Sequence, residues 1–184
     1  MIVGFGFSGA VAVGLADGPL VHHLPAGSVL RGLRLRPEAV ATFFGVPADE
    51  LRNRSVSLDE VVGSGRASRL VDLVLDGRPD NALTARPPEP VRRAFHLLRG
   101  MSVAAAAAEL GFSSRHLRRI VVEHGGLAPK TYQRVVRLRQ FLADEGPLAQ
   151  AAVNVGYADQ AHLTREVTSL CGLPPAALRA ERAR

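Results

Sequence analysis

The sequence of 184 residues contains only one cysteine, Cys171, and only one lysine, Lys130. A single cysteine excludes an internal disulfide and a cysteine-based metal cluster, and it favours a reducing compartment. No apolar run approaches the roughly 18 residues that a membrane span requires. The N-terminus also lacks the basic stretch of a signal peptide. We therefore expect a cytoplasmic protein that has no membrane partner.

What the sequence contains instead is arginine, and its distribution is uneven. Residues 1–85 carry 8 Arg and 9 Asp or Glu, a net charge of −1. Residues 86–184 carry 15 Lys or Arg and 8 Asp or Glu, a net charge of +7. The whole formal excess of +6 therefore lies in the second half of the chain. Basic charge confined to one region is typical of a domain that binds a polyanion.

Residues 102–129 predict two short helices joined by a tight turn. Ser102 is placed to cap a helix over residues 103–110, and Gly111 ends that helix. Ser113 is placed to cap a second helix that runs to about residue 124. This is the outline of a helix-turn-helix unit.

The second of these helices is amphipathic. Leu117, Ile120 and Val121 recur at helical spacing and are expected to pack inward. The opposite side carries Ser114, Arg115, Arg118 and Arg119. A short helix with a buried stripe and an arginine-rich outer face fits the major groove of DNA. Each arginine also fits a solvated face or an ion pair, and Arg119, like Arg165 further along the chain, fits a bracing contact within its own unit.

The same pattern occurs a second time. Residues 103–112 align with residues 148–157 at an offset of 45, and from residue 113 onward the offset is 46. The turn of the second copy therefore has one extra residue. A longer helix over residues 129–144 is predicted to link the copies. Two units in one chain are a stronger indication than a single glycine-centred match in an alanine-rich helix.

The first 80 residues predict strands followed by short helices. Apolar or alternating runs separated by Gly and Pro turns indicate a small antiparallel sheet, with strands at residues 2–7, 10–15, 20–24 and 29–36. Helices are predicted over residues 37–44, 47–53, 57–62 and 64–75. Ser57 is placed to cap the third of them, with Glu60 at the capping-box position. Proline-rich residues 76–90 favour a linker.

The predicted fold class is therefore α+β. The division that we expect is an N-terminal regulatory-like region over residues 1–80 and an all-α domain over residues 88–184. The all-α domain consists of two helix-turn-helix units joined by the linking helix.

Two motifs that suggest a cofactor or a metal lack their usual context. Gly4, Gly6 and Gly9 have the spacing of a dinucleotide fingerprint, but only three residues precede them and no helix is predicted after them. His22 and His23 are adjacent, so on a strand they point to opposite faces. We expect no cofactor and no metal. Since no nucleophile is paired with a base either, we expect no enzyme activity.

Residues 111–132 and 148–179 resemble the double helix-turn-helix DNA-binding domain of the AraC/XylS family of bacterial transcription regulators. The resemblance covers about residues 88–180. It is most specific in the second copy, at Gly156, Tyr157, Asp159, Gln160, Leu163, Arg165, Gly172 and Pro175. Residues 33–63 resemble, more weakly, the regulatory half of one AraC-type subgroup. A cupin-like barrel precedes the helices in that subgroup, whereas about 36 residues precede them here, so a truncated or degenerate sensor is expected.

The resemblance implies a sequence-specific regulator whose two recognition helices read successive major-groove segments. It implies DNA-facing positions at Arg115, Arg118 and Arg119 in the first copy, and at Gln160, His162 and Arg165 in the second. The chemistry agrees, since arginine pairs with guanine and glutamine with adenine. Ala161 offers contact only to a thymine methyl group. Double-stranded DNA is the expected partner, with RNA polymerase and a small-molecule effector as further candidates, and the chain is expected to be a monomer or a dimer.

A different class of function remains open. The alternative is a non-enzymatic modulator that keeps the helix-turn-helix fold but works through protein contact, without specific DNA binding or effector sensing. The salt dependence of DNA binding distinguishes the two, because neutralising phosphates makes affinity fall steeply with salt.

Overall fold

The computed structural model describes residues 2–6, 9–20, 25–77 and 86–182. It confirms the α+β class, with a small sheet near the N-terminus and helices in the remainder. The described residues within Met1–Ala16 and Val21–Pro129 form one compact unit. Those within Asp17–Leu20 and Lys130–Arg184 form a second unit.

A four-stranded antiparallel sheet lies in the first unit. Its strands are β1 (Ile2–Gly6), β2 (Gly9–Val13), β3 (Arg31–Arg34) and β4 (Ser55–Ser57), in the order β3-β1-β2-β4. Strand β2 pairs directly with β1. The glycine motif therefore belongs to two antiparallel strands, whereas a dinucleotide site requires a strand followed by a helix. Except for Leu20, the predicted strand at residues 20–24 lies outside the described part, and so does the His22–His23 pair.

Strand β4 was not predicted, and it corrects the interpretation of Ser57. This residue ends β4, and its hydroxyl donates a hydrogen bond to the carboxylate of Asp59 instead of accepting one from a backbone N–H. The predicted side-chain cap is therefore wrong, although a helix does begin at the next residue. Because Asp59 is stabilised as an anion by this bond, the pKa of Asp59 is lowered.

The N-terminal helices pack against the sheet around an apolar core. They are α1 (Val40–Phe44), α2 (Leu58–Val62) and α3 (Ser64–Leu75), with two 3₁₀ helices at Pro37–Ala39 and Ala48–Leu51. The helical prediction is confirmed, with 3₁₀ geometry in two of the segments. The core includes Ala12, Leu33, Leu35, Val40, Phe43, Phe44, Leu51, Leu58 and Leu70.

Three further helices belong to the same unit: α4 (Glu89–Leu97), α5 (Val103–Glu109) and α6 (Ser114–Gly125). Helix α6 contacts α4 and α5, and it also contacts α1 and both 3₁₀ helices. The first helix-turn-helix copy therefore shares its packing with N-terminal elements. The division into residues 1–80 and 88–184 stays a prediction. Most of the predicted linker lies outside the described residues.

The second unit contains the other copy. Its helices are α7 (Pro129–Ala143), α8 (Leu148–Asn154), α9 (Gln160–Cys171) and α10 (Pro175–Arg182). Its core consists of Phe141, Ala151, Ala152, Tyr157, Leu163 and Val167. No helix in the described part of the chain combines the length and the hydropathy that a bilayer span requires.

Candidate nucleic-acid interface

The turn of the first copy is fixed by two serines and a glycine. The hydroxyl of Ser102 accepts a hydrogen bond from the Ala105 N–H at 3.2 Å, and that of Ser113 accepts one from the His116 N–H at 3.2 Å. Each cap satisfies a backbone donor that the helix leaves without a partner. Gly111 has φ +66°, a conformation that favours glycine, so the chain can reverse between α5 and α6. The predicted caps and boundaries are confirmed.

The second copy repeats this geometry. Asp159 takes the place of Ser113, and its carboxylate accepts a hydrogen bond from the His162 N–H at 2.6 Å. Gly156 has φ +83°, as expected for the equivalent of Gly111. In both copies the aromatic residue after this glycine donates its N–H to a carbonyl in the preceding helix at 2.9 Å. The sequence repeat is therefore a structural repeat.

Equivalent apolar residues hold each recognition helix in place. Within the aligned ranges, four pairs of equivalent residues are buried in their own units: Ala106 and Ala151, Ala107 and Ala152, Leu117 and Leu163, Val121 and Val167. Burying a leucine, valine or phenylalanine side chain stabilises a fold by about 1.5–3 kcal/mol relative to exposing it. Because these residues fix the inner face, the outer face of α6 and that of α9 are left at the surface.

The outer face of α6 is basic. Ser114, Arg115, Arg118 and Arg119 are all exposed, as the sequence predicts. Arg119 has neighbours on its own helix, with one guanidinium nitrogen 3.1 Å from Nδ1 of His116 and another 3.8 Å from the Glu123 carboxylate. Its side chain is nevertheless 66% exposed. An exposed ion pair of this kind contributes little to stability, so Arg119 can exchange it for another anion.

An open cavity of about 530 Å³ lies beside this face. Ser113, Arg115, His116, Arg118 and Arg119 line it, and so does Arg52, which follows the second 3₁₀ helix. Sequence analysis missed Arg52. Nothing in the local sequence distinguishes it, because only the tertiary packing of the N-terminal elements on α6 brings it to this face.

The outer face of α9 is more varied. Gln160 and Arg165 are exposed, whereas the side chain of His162 is 40% exposed. The His162 ring packs edge-on against Tyr157 with centroids 5.3 Å apart, and its Nε2 lies 3.9 Å from the Glu166 carboxylate. His116 of the first copy packs in the same way on Phe112, at 4.5 Å. Both histidines therefore also brace the start of their helices.

Glu166 forms ion pairs on the inner side of α9. Its side chain is only 14% exposed, and it accepts hydrogen bonds from Arg134 at 3.1 Å and from Arg137 at 3.2 Å. Arg137 also lies over the ring of Tyr157, at 5.4 Å from its centroid. Burial, with the nearby Glu166 charge, raises the pKa of Tyr157. The sequence did not reveal this cluster, in which both arginines pair with the carboxylate that occupies the position equivalent to Ile120.

Two further observations bear on the chemistry of the chain. No group of three or more potential metal ligands occurs among the residues that the structure describes. Burial raises the pKa of the Cys171 thiol, which keeps it protonated and poorly nucleophilic at neutral pH.

The two helix-turn-helix copies lie almost entirely in a stretch that matches a model of known proteins. Residues 106–181 match a family model described as a helix-turn-helix domain. Among solved structures, the chain is similar to the C-terminal domain of AraT, a response regulator from Geobacillus stearothermophilus, with 21% identity and a TM-score of 0.47. That match covers 53% of this chain and 87% of the other. No match was found among curated proteins. Residues 106–181 are therefore similar to helix-turn-helix domains of the AraC type.

Proposed function

We propose that the chain is a sequence-specific regulator in which α6 and α9 each enter the major groove, in two successive segments of one site. The observation that carries this proposal is the structural repeat. Two recognition helices are capped in the same way and bury equivalent apolar residues, and each exposes arginine or glutamine on its outer face. The net charge of +7 over residues 86–184 supplies the attraction to phosphates.

In the first copy, Arg115, Arg118 and Arg119 take the guanine-reading positions. An arginine donates two parallel hydrogen bonds to O6 and N7 of guanine, and one such pair contributes about 1–3 kcal/mol of discrimination against other bases. Ser114 lies in the first turn of α6, where hydroxyl and backbone N–H groups hold phosphate.

In the second copy, Gln160 is assigned to adenine and Arg165 to guanine. His162 is assigned a contact through the exposed part of its ring, in addition to its packing on Tyr157. Ala161, between Gln160 and His162, offers only a methyl group, which suits a thymine. The second segment is therefore expected to be read less stringently than the first.

The proposal is tested by selecting duplexes from a randomised pool and titrating the selected duplex by fluorescence anisotropy, with random duplex as competitor. The wild-type chain should resist the competitor, and its affinity should fall steeply as salt rises. Arg115→Ala combined with Arg165→Ala should lower affinity for the selected duplex by about 1–3 kcal/mol per arginine. Arg69→Ala removes an exposed arginine from α3 and provides the control.

Unchanged affinity and sequence preference in the double variant would contradict the assignment of these residues. Absence of any DNA binding at low salt would instead favour a modulator that acts through protein contact.

A further inference from the structure

An arginine from the N-terminal region lies at the first recognition helix. The 3₁₀ helix Ala48–Leu51 packs on α6, and its Ala48 and Leu51 side chains are 2% and 4% exposed. The contact is close at the end of α6. A Cβ atom added to Gly126 would lie 2.8 Å from the carbonyl oxygen of Ala48, a separation that side chains essentially never show. The residue that leaves this 3₁₀ helix, Arg52, is therefore held near α6 by tight packing.

The backbone around Arg52 is anchored on two sides. The Arg52 N–H donates to the Asp49 carbonyl at 3.2 Å, and the Asn53 N–H donates to the Leu15 carbonyl at 3.1 Å. Further along the chain, the Arg54 carbonyl accepts a hydrogen bond from the Gly14 N–H at 2.9 Å. A Cβ atom on Gly14 would lie 1.6 Å from the Leu51 carbonyl oxygen, so only glycine allows the two segments to approach this closely. The exposed Arg52 side chain thus projects from a fixed backbone.

The cavity beside α6 brings Arg52 together with three arginines of the recognition helix. Arg52, Arg115, Arg118 and Arg119 all line the same space of about 530 Å³. No carboxylate lines it among the described residues. Arg119 also lies 3.8 Å from the Glu123 carboxylate, but the residues that line the cavity are predominantly basic. The surface is therefore suited to a polyanion rather than to a neutral ligand.

We propose that Arg52 binds a phosphate of the DNA strand that flanks the segment read by α6, which makes the N-terminal region part of the DNA interface. This inference rests on the proposed function, since it requires α6 to lie in the groove. Residues on the recognition helix reach base edges, whereas groups beside that helix meet the sugar–phosphate backbone. A guanidinium matches the geometry of a phosphate and donates two hydrogen bonds to it. Arg52 thereby strengthens binding and fixes the position of the duplex, but it carries no sequence information.

The test compares Arg52→Ala with wild type on a selected duplex and on a random duplex, over a range of salt concentrations. Loss of one phosphate contact should reduce the slope of log affinity against log salt by about 0.9. The variant's deficit in affinity should then shrink about 3.5-fold when salt rises from about 50 to about 200 mM. The deficit should be equal on both duplexes, so the preference for the selected duplex should not change.

Three further variants make the result decisive. Arg52→Lys should retain the wild-type slope, because a phosphate contact needs a positive charge more than a planar group. Arg69→Ala removes the same charge from α3, a helix that does not line the cavity, and it should leave the slope unchanged. Arg115→Ala should lower the preference for the selected duplex. Far-UV circular dichroism melting should show that all variants remain folded.

If Arg52→Ala binds like wild type at every salt concentration while Arg115→Ala loses preference, Arg52 does not contact DNA and the proposed function stands. If Arg52→Ala changes the preference between duplexes, the phosphate assignment is overturned in favour of a base contact. If Arg115→Ala also binds like wild type, the proposed function itself fails.

Discussion

The two helix-turn-helix copies share their inner residues but differ where each recognition helix meets its support. Ile120 in α6 is buried, in a unit where α6 also contacts α1 and two 3₁₀ helices. Its equivalent in α9 is Glu166, which pairs with Arg134 and Arg137. One copy is therefore supported by an apolar contact with the N-terminal region, and the other by ion pairs with the preceding helix. The shared residues specify the motif, and the residues that differ specify what each copy packs against.

The two recognition helices also differ in the residue at which each of them ends. At Gly125 an added Cβ would lie 2.5 Å from the Phe95 ring of α4, so this ring leaves no room for a side chain there. The equivalent residue of the second copy is Cys171, which is partly buried. The two copies therefore carry different residues at this aligned position.

The largest loss of stability is expected when Ile120 and Glu166 are each replaced by the residue of the other copy. Ile120→Glu places a carboxylate at a position where the first copy buries an apolar side chain, and it should lower the free energy of unfolding by about 3–5 kcal/mol. Glu166→Ile should cost less, about 1–2 kcal/mol, because Arg134 and Arg137 are 29% and 30% exposed and can turn to water. Urea unfolding followed by far-UV circular dichroism measures both. Equal losses would contradict the difference in support.

The C-terminal glycines of α6 and α9 provide a matched pair. Gly126 and Gly172 have φ +78° and +74°, so alanine at either position costs about 1–2 kcal/mol of backbone strain. Only Gly126 also faces backbone, at 2.8 Å from the Ala48 carbonyl oxygen, whereas the nearest atoms to Gly172 are ordinary contacts with Pro19 at 3.5 Å. Gly126→Ala should therefore lose about 1–2 kcal/mol more than Gly172→Ala in the same unfolding experiment. A difference near zero would show that the 3₁₀ helix does not press on α6.

A smaller effect should appear as a dependence on pH. In the second unit, the carboxylate of Asp144 accepts hydrogen bonds from Asn154 at 2.9 Å and from the Gly146 N–H at 2.8 Å. These bonds, that from Asn154 first, hold the pKa of Asp144 below its ordinary value. The contribution of Asp144 is therefore present above the unfolded-state pKa of about 3.9 and is lost as pH falls through the lower folded-state pKa.

Asp144→Asn should lower the melting temperature near pH 7, and its difference from wild type should disappear in strong acid. The comparison requires melting curves of both proteins at several pH values. A difference that is the same at every pH would mean that the Asp144 charge makes no contribution.

The helices that carry the interface could be predicted from sequence because their signals are local. Ser102 and Ser113 mark helix starts, Gly111 marks a turn, and the repeat supplies an independent check on each boundary. The inner stripe of α6 follows from spacing alone, since residues three and four apart share a face.

The features that sequence analysis missed depend on residues that are distant in the chain. Arg134 and Arg137 occupy polar positions of α7, and only the burial of Glu166 on another helix turns them inward. Arg52 reaches the first recognition helix across some sixty residues of sequence. Strand β4 is three residues long and exists because β2 offers it hydrogen bonds, which no local preference reveals. Ser57 does precede a helix, as its capping signal predicts. Its hydroxyl does not cap that helix, however, because it bonds to the nearby Asp59 carboxylate.

The central claim is that each copy reads its own segment of DNA, and parallel selections from one randomised duplex pool test it most directly. Wild type should enrich two short blocks of defined sequence, separated by about one helical turn, or roughly 10 base pairs. Arg115→Ala should lose definition in one block only, and Arg165→Ala in the other only. Enrichment of a single block, or loss of the same block in both variants, would contradict the claim that the two copies act as separate reading heads.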